Sequence, residues 1–93
     1  SFVPAPTLVL VVGPTAAADR ARAALTAAHL RADVVAAPDA SAEGRVDRRA
    51  VVLVTPGASP DAAARAEALG TERGWSVVAA KPARCAEAVA SLL

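Results

Sequence analysis

Short unbroken runs of Leu and Val punctuate this chain, and between them lie longer Ala-rich stretches whose charges recur at helical spacing. Thr7 to Val12 is the first such run. It is continuously apolar rather than alternating, the pattern of a parallel strand covered on both faces. Gly13-Pro14-Thr15 interrupts it. From Ala16 to His29, Ala17, Ala21, Ala24, Leu25 and Ala28 fall on one stripe, and Asp19, Arg20 and Arg22 lie off it. That spacing predicts an amphipathic helix, with the Thr15 hydroxyl at the N-cap position. Further strands are predicted at Asp33–Ala36, Ala50–Thr55 and Trp75–Ala80. Ser59-Pro60-Asp61 combines a capping hydroxyl, a proline at the first helical position and an acid in the first turn. The helix it opens ends near Leu69-Gly70 or continues to Arg73-Gly74. A last helix is predicted from Pro82 to Leu93, with Cys85, Val89 and Leu92 on one face. Pro38 to Arg49 is polar and reads as a loop with at most one helical turn. Residues 1–6, rich in proline, read as an extended linker into a single domain over 7–93.

A shift of 43 residues superposes Val9-Leu10-Val11 on Val52-Leu53-Val54 and Val34-Val35-Ala36-Ala37 on Val77-Val78-Ala79-Ala80. Each half then reads strand, helix, strand. Two right-handed βαβ units in series predict a three-layer α/β domain. Its four-stranded parallel sheet has the order 2-1-3-4, with helices on both faces, a flavodoxin-like or receiver-like arrangement. Ligands of such sheets sit beyond the carboxyl ends of the strands, where the winding reverses. Here that point lies between the first and third strands. It collects Gly13, Thr15, Thr55, Gly57 and Ser59, with Lys81 leaving the fourth strand at the same edge. These six are the candidate ligand-binding residues, with two helix N-termini expected to aim at one crevice.

Composition narrows the chemistry. Ninety-three residues make one domain near the lower size limit for a self-sufficient core. Ile, Met and Tyr are absent, Phe2 and Trp75 are the only aromatics, and most apolar residues are Ala or Val. The core must therefore rely on close backbone approach. Lys81 is the only lysine beside nine arginines, a bias expected of a high-GC bacterial genome. The net charge is +1, and the arginines are interleaved with acids and lack aromatic company. That argues against nucleic-acid binding. A single cysteine offers neither a disulfide nor a metal cluster, and no run is apolar enough to insert in a membrane.

The stretch Leu8 to Arg20 opens like a phosphate-binding loop and resembles the start of a tRNA prenyltransferase-type nucleotide-binding domain. The pattern requires Gly-Lys-Ser/Thr at the positions held by Ala18, Asp19 and Arg20, so the cation that should reach the phosphates is a carboxylate. A dinucleotide fingerprint needs three spaced glycines, and only Gly13 is present. His29 lies at the far end of its helix without a partner, and Cys85 lies on an apolar stripe. Neither joins a nucleophile–base set.

Val51 to Thr55 and Val77 to Pro82 resemble two strands of response-regulator receiver domains. The first ends in a threonine that matches the family's switch threonine or, if this is instead the family's third strand, replaces its phospho-acceptor; the second is followed by the family's lysine and proline. The resemblance implies that Thr55 and Lys81 occupy the two phosphoryl-facing positions. The family's magnesium-holding acidic pair is replaced by Gly13-Pro14, and no aspartate ends a central strand. The second half also resembles the small βαβ domain at the C-terminus of LytR-type cell-envelope proteins, without that family's Asn-Gly-Thr. The expectation is a degenerate, pseudo-receiver domain with no catalytic residues, metal or cofactor. It would act by protein–protein interaction, with a protein partner or a second copy, in a regulatory or assembly role within a larger bacterial protein. The alternative is a small-molecule or phosphate-binding domain that uses the crevice.

Overall fold

The computed structural model describes residues 6–40 and 48–92. Four strands, β1 (Thr7–Val12), β2 (Ala32–Ala36), β3 (Ala50–Val54) and β4 (Ser76–Ala79), form one sheet in the order β2-β1-β3-β4. All three pairings are parallel. Between them run α1 (Thr15–Ala27) and α2 (Pro60–Arg73), and the chain closes with a 3-10 turn (Pro82–Arg84) leading into α3 (Cys85–Ala90). The predicted order and the three helices are those observed.

Each face of the sheet has its own core. Val9, Val11, Val34, Val51 and Leu53 pack against Ala17, Ala18, Ala21 and Leu25 of α1 and Cys85 and Val89 of α3. On the opposite face Leu8, Leu10, Val12, Ala50 and Val52 meet Ala62 and Ala66 of α2, together with Ala37 and Ala40. The sequence repeat acquires a geometric meaning here. Strand pairing joins Val9 to Val51, whereas the repeat relates Val9 to Val52. That one-residue offset moves a side chain to the other face. Val9 accordingly lies under α1, and Val52 under α2. Val34 and Val77 are exchanged between faces in the same way. The two halves are thus related by a pseudo-twofold axis parallel to the strands, between β1 and β3.

The helix boundaries correct several local expectations. Thr15 is the first residue of α1, not its cap. Pro14 occupies the cap with no side-chain hydrogen bond, and its carbonyl accepts from Ala17 N–H at 2.9 Å. The extended ψ of Pro14, 145°, turns the chain one residue earlier than a threonine cap would. The helix stops at Ala27 because His29 adopts a left-handed φ of 56°. His29 N–H bonds Thr26 O at 3.0 Å and Leu30 N–H bonds Leu25 O at 2.9 Å. This paired closure satisfies the orphan carbonyls. α2 takes the longer of its two predicted ends, reaching Arg73 with Gly74 at φ 71°. The last helix is shorter than Pro82–Leu93. It begins as a 3-10 turn and its α portion ends at Ala90. Of the linker and the polar loop, residues 1–5 and 41–47 lie outside the described residues.

Small residues bring helix and sheet together. Gly70 is buried in α2, and a Cβ there would collide with the Val77 side chain and lie 3.0 Å from the Trp75 carbonyl. Ala at this position would gain about 1 kcal/mol in helix propensity but lose about 1–3 kcal/mol to overpacking. Gly70→Ala is therefore expected to lower the melting temperature. In contrast, His29→Gly should raise stability by about 0.5–1 kcal/mol, because only glycine adopts a left-handed φ at no steric cost. Thermal unfolding of the two variants, which should move in opposite directions, checks both.

Candidate functional site

The carboxyl ends of β1 and β3 are stitched together by one buried threonine. Thr55 is 4% exposed, and its hydroxyl donates to Val12 O at 2.9 Å. Its own N–H donates to the same carbonyl at 3.0 Å. Gly13 leaves β1 at φ 144°, a region L side chains rarely enter, and a Cβ there would fall on the Thr55 hydroxyl. One step further out, Gly57 abuts Pro14: a Cβ on Gly57 would lie 2.8 Å from both Cδ and Cγ of the ring. The two loops thus fill the place where the winding reverses.

Of the six candidate residues, the structure brings Gly13, Thr55 and Gly57 together, but as packing partners. Ser59 is consumed locally, its Oγ accepting from Ala62 N–H at 3.1 Å. Thr15 is exposed at the start of α1. Lys81 is exposed after β4. The expected crevice is displaced sideways into a groove of about 540 Å³, on the α1 side of the sheet. Pro14, Ala16, Ala17, Pro56, Gly57, Pro82 and Ala83 form its apolar walls, with the Thr55 edge at the base, and Arg20 and Lys81 bring positive charge to it. Only the start of α1 borders this groove. No residue of α2 does, because α2 packs on the opposite face. Two helix N-termini therefore do not converge here.

Sequence reasoning missed Arg20, which it assigned to a solvated face. The signal was its spacing: Ala16 and Arg20 are one helical turn apart and so share a side. The groove can attract an anion through Arg20 and Lys81. Among the described residues no imidazole or carboxylate lines it, and the proton of its one buried hydroxyl is committed to Val12. Cys85 lies elsewhere, fully buried beneath α1. Its Sγ is 3.7 Å from Ala21 O, and burial pushes its thiol pKa above the ordinary value. Among the described residues no group of three or more His, Cys, Asp or Glu could hold a metal ion. Among the described residues no helix is long and apolar enough to cross a membrane.

No protein-family model and no curated protein matches this chain. Among solved structures, a de novo designed Rossmann-fold protein is similar, with a TM-score of 0.58 and 16% sequence identity over 96% of this chain and 97% of that one. At that identity the likeness is one of fold: a Rossmann-like α/β sheet.

The stitched loops predict a graded response. Thr55→Val keeps the volume and the N–H bond but removes the hydroxyl, and should cost about 1 kcal/mol. Gly13→Ala imposes both an unfavourable φ and a collision with Thr55, and should cost more, about 2–4 kcal/mol. Urea unfolding of the two variants should rank them in that order.

Proposed function

We propose that this chain is a non-catalytic, receiver-like α/β domain that works by binding a protein partner through the free edge of β4 and the helical segment after it. The observation that carries the reading is the contrast between the two sheet edges. Natural sheets protect exposed edges with charge or proline. Edge strand β2 carries Asp33, ion-paired with Arg48 at 2.8 Å. Edge strand β4, Ser76-Val77-Val78-Ala79, carries neither, and its two valines are only half-buried. Beside it the segment Pro82–Ala90 exposes Ala83 and Ala90 along with Arg84 and Glu87. An uncharged edge flanked by small residues suits close docking of another backbone.

The receiver reading takes the second of the two places Thr55 can hold in that family. β3 lies beside β1, where the family carries its phospho-accepting strand, so Thr55 stands in place of the acceptor rather than as the switch threonine. Its hydroxyl is turned inward to Val12 O. Gly13-Pro14 supplies no carboxylate for magnesium. A regulatory or assembly role without phosphoryl transfer follows. The convergence of Arg20 and Lys81 on the lateral groove favours a second reading, a small anionic ligand bound there.

A photo-crosslinking side chain placed at Ala79 or Ala83, in cells producing the protein, should yield protein adducts. The same group at Thr26, on the exposed side of α1, should not. Absence of adducts at the edge positions would remove the interaction reading. For the second reading, phosphate and ATP with magnesium are expected to leave the melting temperature unchanged. A saturable rise, as any ligand of the folded state alone produces, would favour the groove instead. Acetyl phosphate should leave the intact mass unaltered.

A further inference from the structure

We propose that the groove beside α1 binds a small organic carboxylate with a flat apolar body, its carboxylate held by Arg20 and Lys81 and its body laid against the proline walls. This rests on the second, groove reading and names the class of ligand. The two cations of the groove are unanswered. Arg22 pairs with Asp19 at 2.9 Å and Arg48 with Asp33 at 2.8 Å, whereas among the described residues neither Arg20 nor Lys81 has an ion-pair partner. Both stand on fixed backbone. Arg20 lies inside α1. Lys81 is tied down on either side: Ala80 N–H donates to Val54 O at 3.2 Å, and Lys81 O accepts from Arg84 N–H at 2.9 Å. A guanidinium matches a planar carboxylate with two parallel N–H···O bonds, and an ammonium adds a compact charge.

The walls decide which anion fits. Pro14, Pro56 and Pro82 enter from the loops after β1, β3 and β4, and Ala16, Ala17 and Ala83 extend the apolar lining. Proline has no N–H to offer. Of the neighbouring backbone donors, Ala17 N–H is committed to Pro14 O and Thr55 N–H to Val12 O. A phosphate carries more acceptor oxygens than a carboxylate, and it is normally cradled by successive free N–H groups. This groove supplies two side-chain cations instead. That suits the two oxygens of a carboxylate and leaves apolar wall for the rest of the molecule to cover. Mostly apolar walls with a few placed polar groups, at about 540 Å³, are the make-up of a small-molecule site. The prolines fix φ in all three loops, and the Thr55 stitch pins two of them. The walls are therefore formed in advance, and binding has little chain to order.

Titration of the whole chain with 2-naphthoate, followed by amide NMR, should give saturable shifts at Ala16, Ala17, Arg20, Gly57, Lys81 and Ala83. The amides of α2, which borders no part of the groove, should not move. Acetate has the carboxylate without the body, and 2-naphthylmethanol has the body without the charge. Each should bind at least about tenfold more weakly than 2-naphthoate. Arg20→Gln and Lys81→Gln should each weaken 2-naphthoate binding by about five- to tenfold. Both side chains are exposed, so the melting temperature of the free variants should stay at the parent's value. No saturable shift with 2-naphthoate, equal binding of 2-naphthylmethanol, or undiminished binding by either Gln variant would overturn the proposal. If inorganic phosphate binds the same amides as tightly as 2-naphthoate, the carboxylate class is wrong and the groove reading stands. If neither binds, both fall. The interaction reading is tested at Ala79, outside the groove, and is untouched by any of these results.

Discussion

The contact between the two central loops governs the rest of this structure. β1 and β3 run side by side, but their helices leave to opposite faces, so the chain must diverge within a few residues of Val12 and Val54. A parallel sheet wound both ways normally leaves a cleft at that point. Here Thr55 donates twice to Val12 O, and Gly13 and Gly57 let the neighbouring loops close without side chains between them. The backbone ladder fixes the separation of the two central strands, and the stitch closes the two loops at the point where the chain turns toward α1 and α2. That closure also moves the available space off the axis, into the groove beside α1.

The same reliance on small residues runs through both cores. Ala17, Ala18 and Ala21 on one side and Ala62, Ala66 and Gly70 on the other allow helix axes to sit close to strands of Val and Leu. Such a core has few bulky side chains to absorb a change, which makes single methyl groups consequential. It also covers less width. α2 is the one helix on its face among the described residues, and it spans β1, β3 and β4. Val77, at the far edge of that face, is left half-covered.

Much of this was legible before the structure. Continuous apolar runs marked the strands, Ser59-Pro60-Asp61 marked the start of α2, and two βαβ units in series implied the order β2-β1-β3-β4. What was not legible is instructive. Thr15 reads as a cap because it is the first hydroxyl before an alanine run, yet Pro14 takes the position through the backbone angle that Gly13 allows. Thr55, Gly57 and Ser59 read as a polar crevice from their residue types, but two of them spend their hydroxyls on backbone neighbours. Polar residues at a loop announce hydrogen bonds without saying to whom. Arg20 was hidden for the converse reason: a charge off the apolar stripe reads as solvated, and only the position of Lys81 across the groove gives it company.

The pseudo-symmetry sharpens the reading of the edge. β2 and β4 occupy equivalent places in the two halves, and each is paired on one side only. The repeat that relates Val34 to Val77 also relates Asp33 to Ser76. At the first position a carboxylate is held by Arg48, whose other guanidinium nitrogen donates to Pro6 O. The edge is there tied to the incoming chain and guarded by charge. At the second a serine stands exposed with no such clamp. Architecture alone cannot account for the difference, because it treats the two edges alike. The side chains distinguish them: an ion pair guards the edge of β2, and β4 carries no charge of its own.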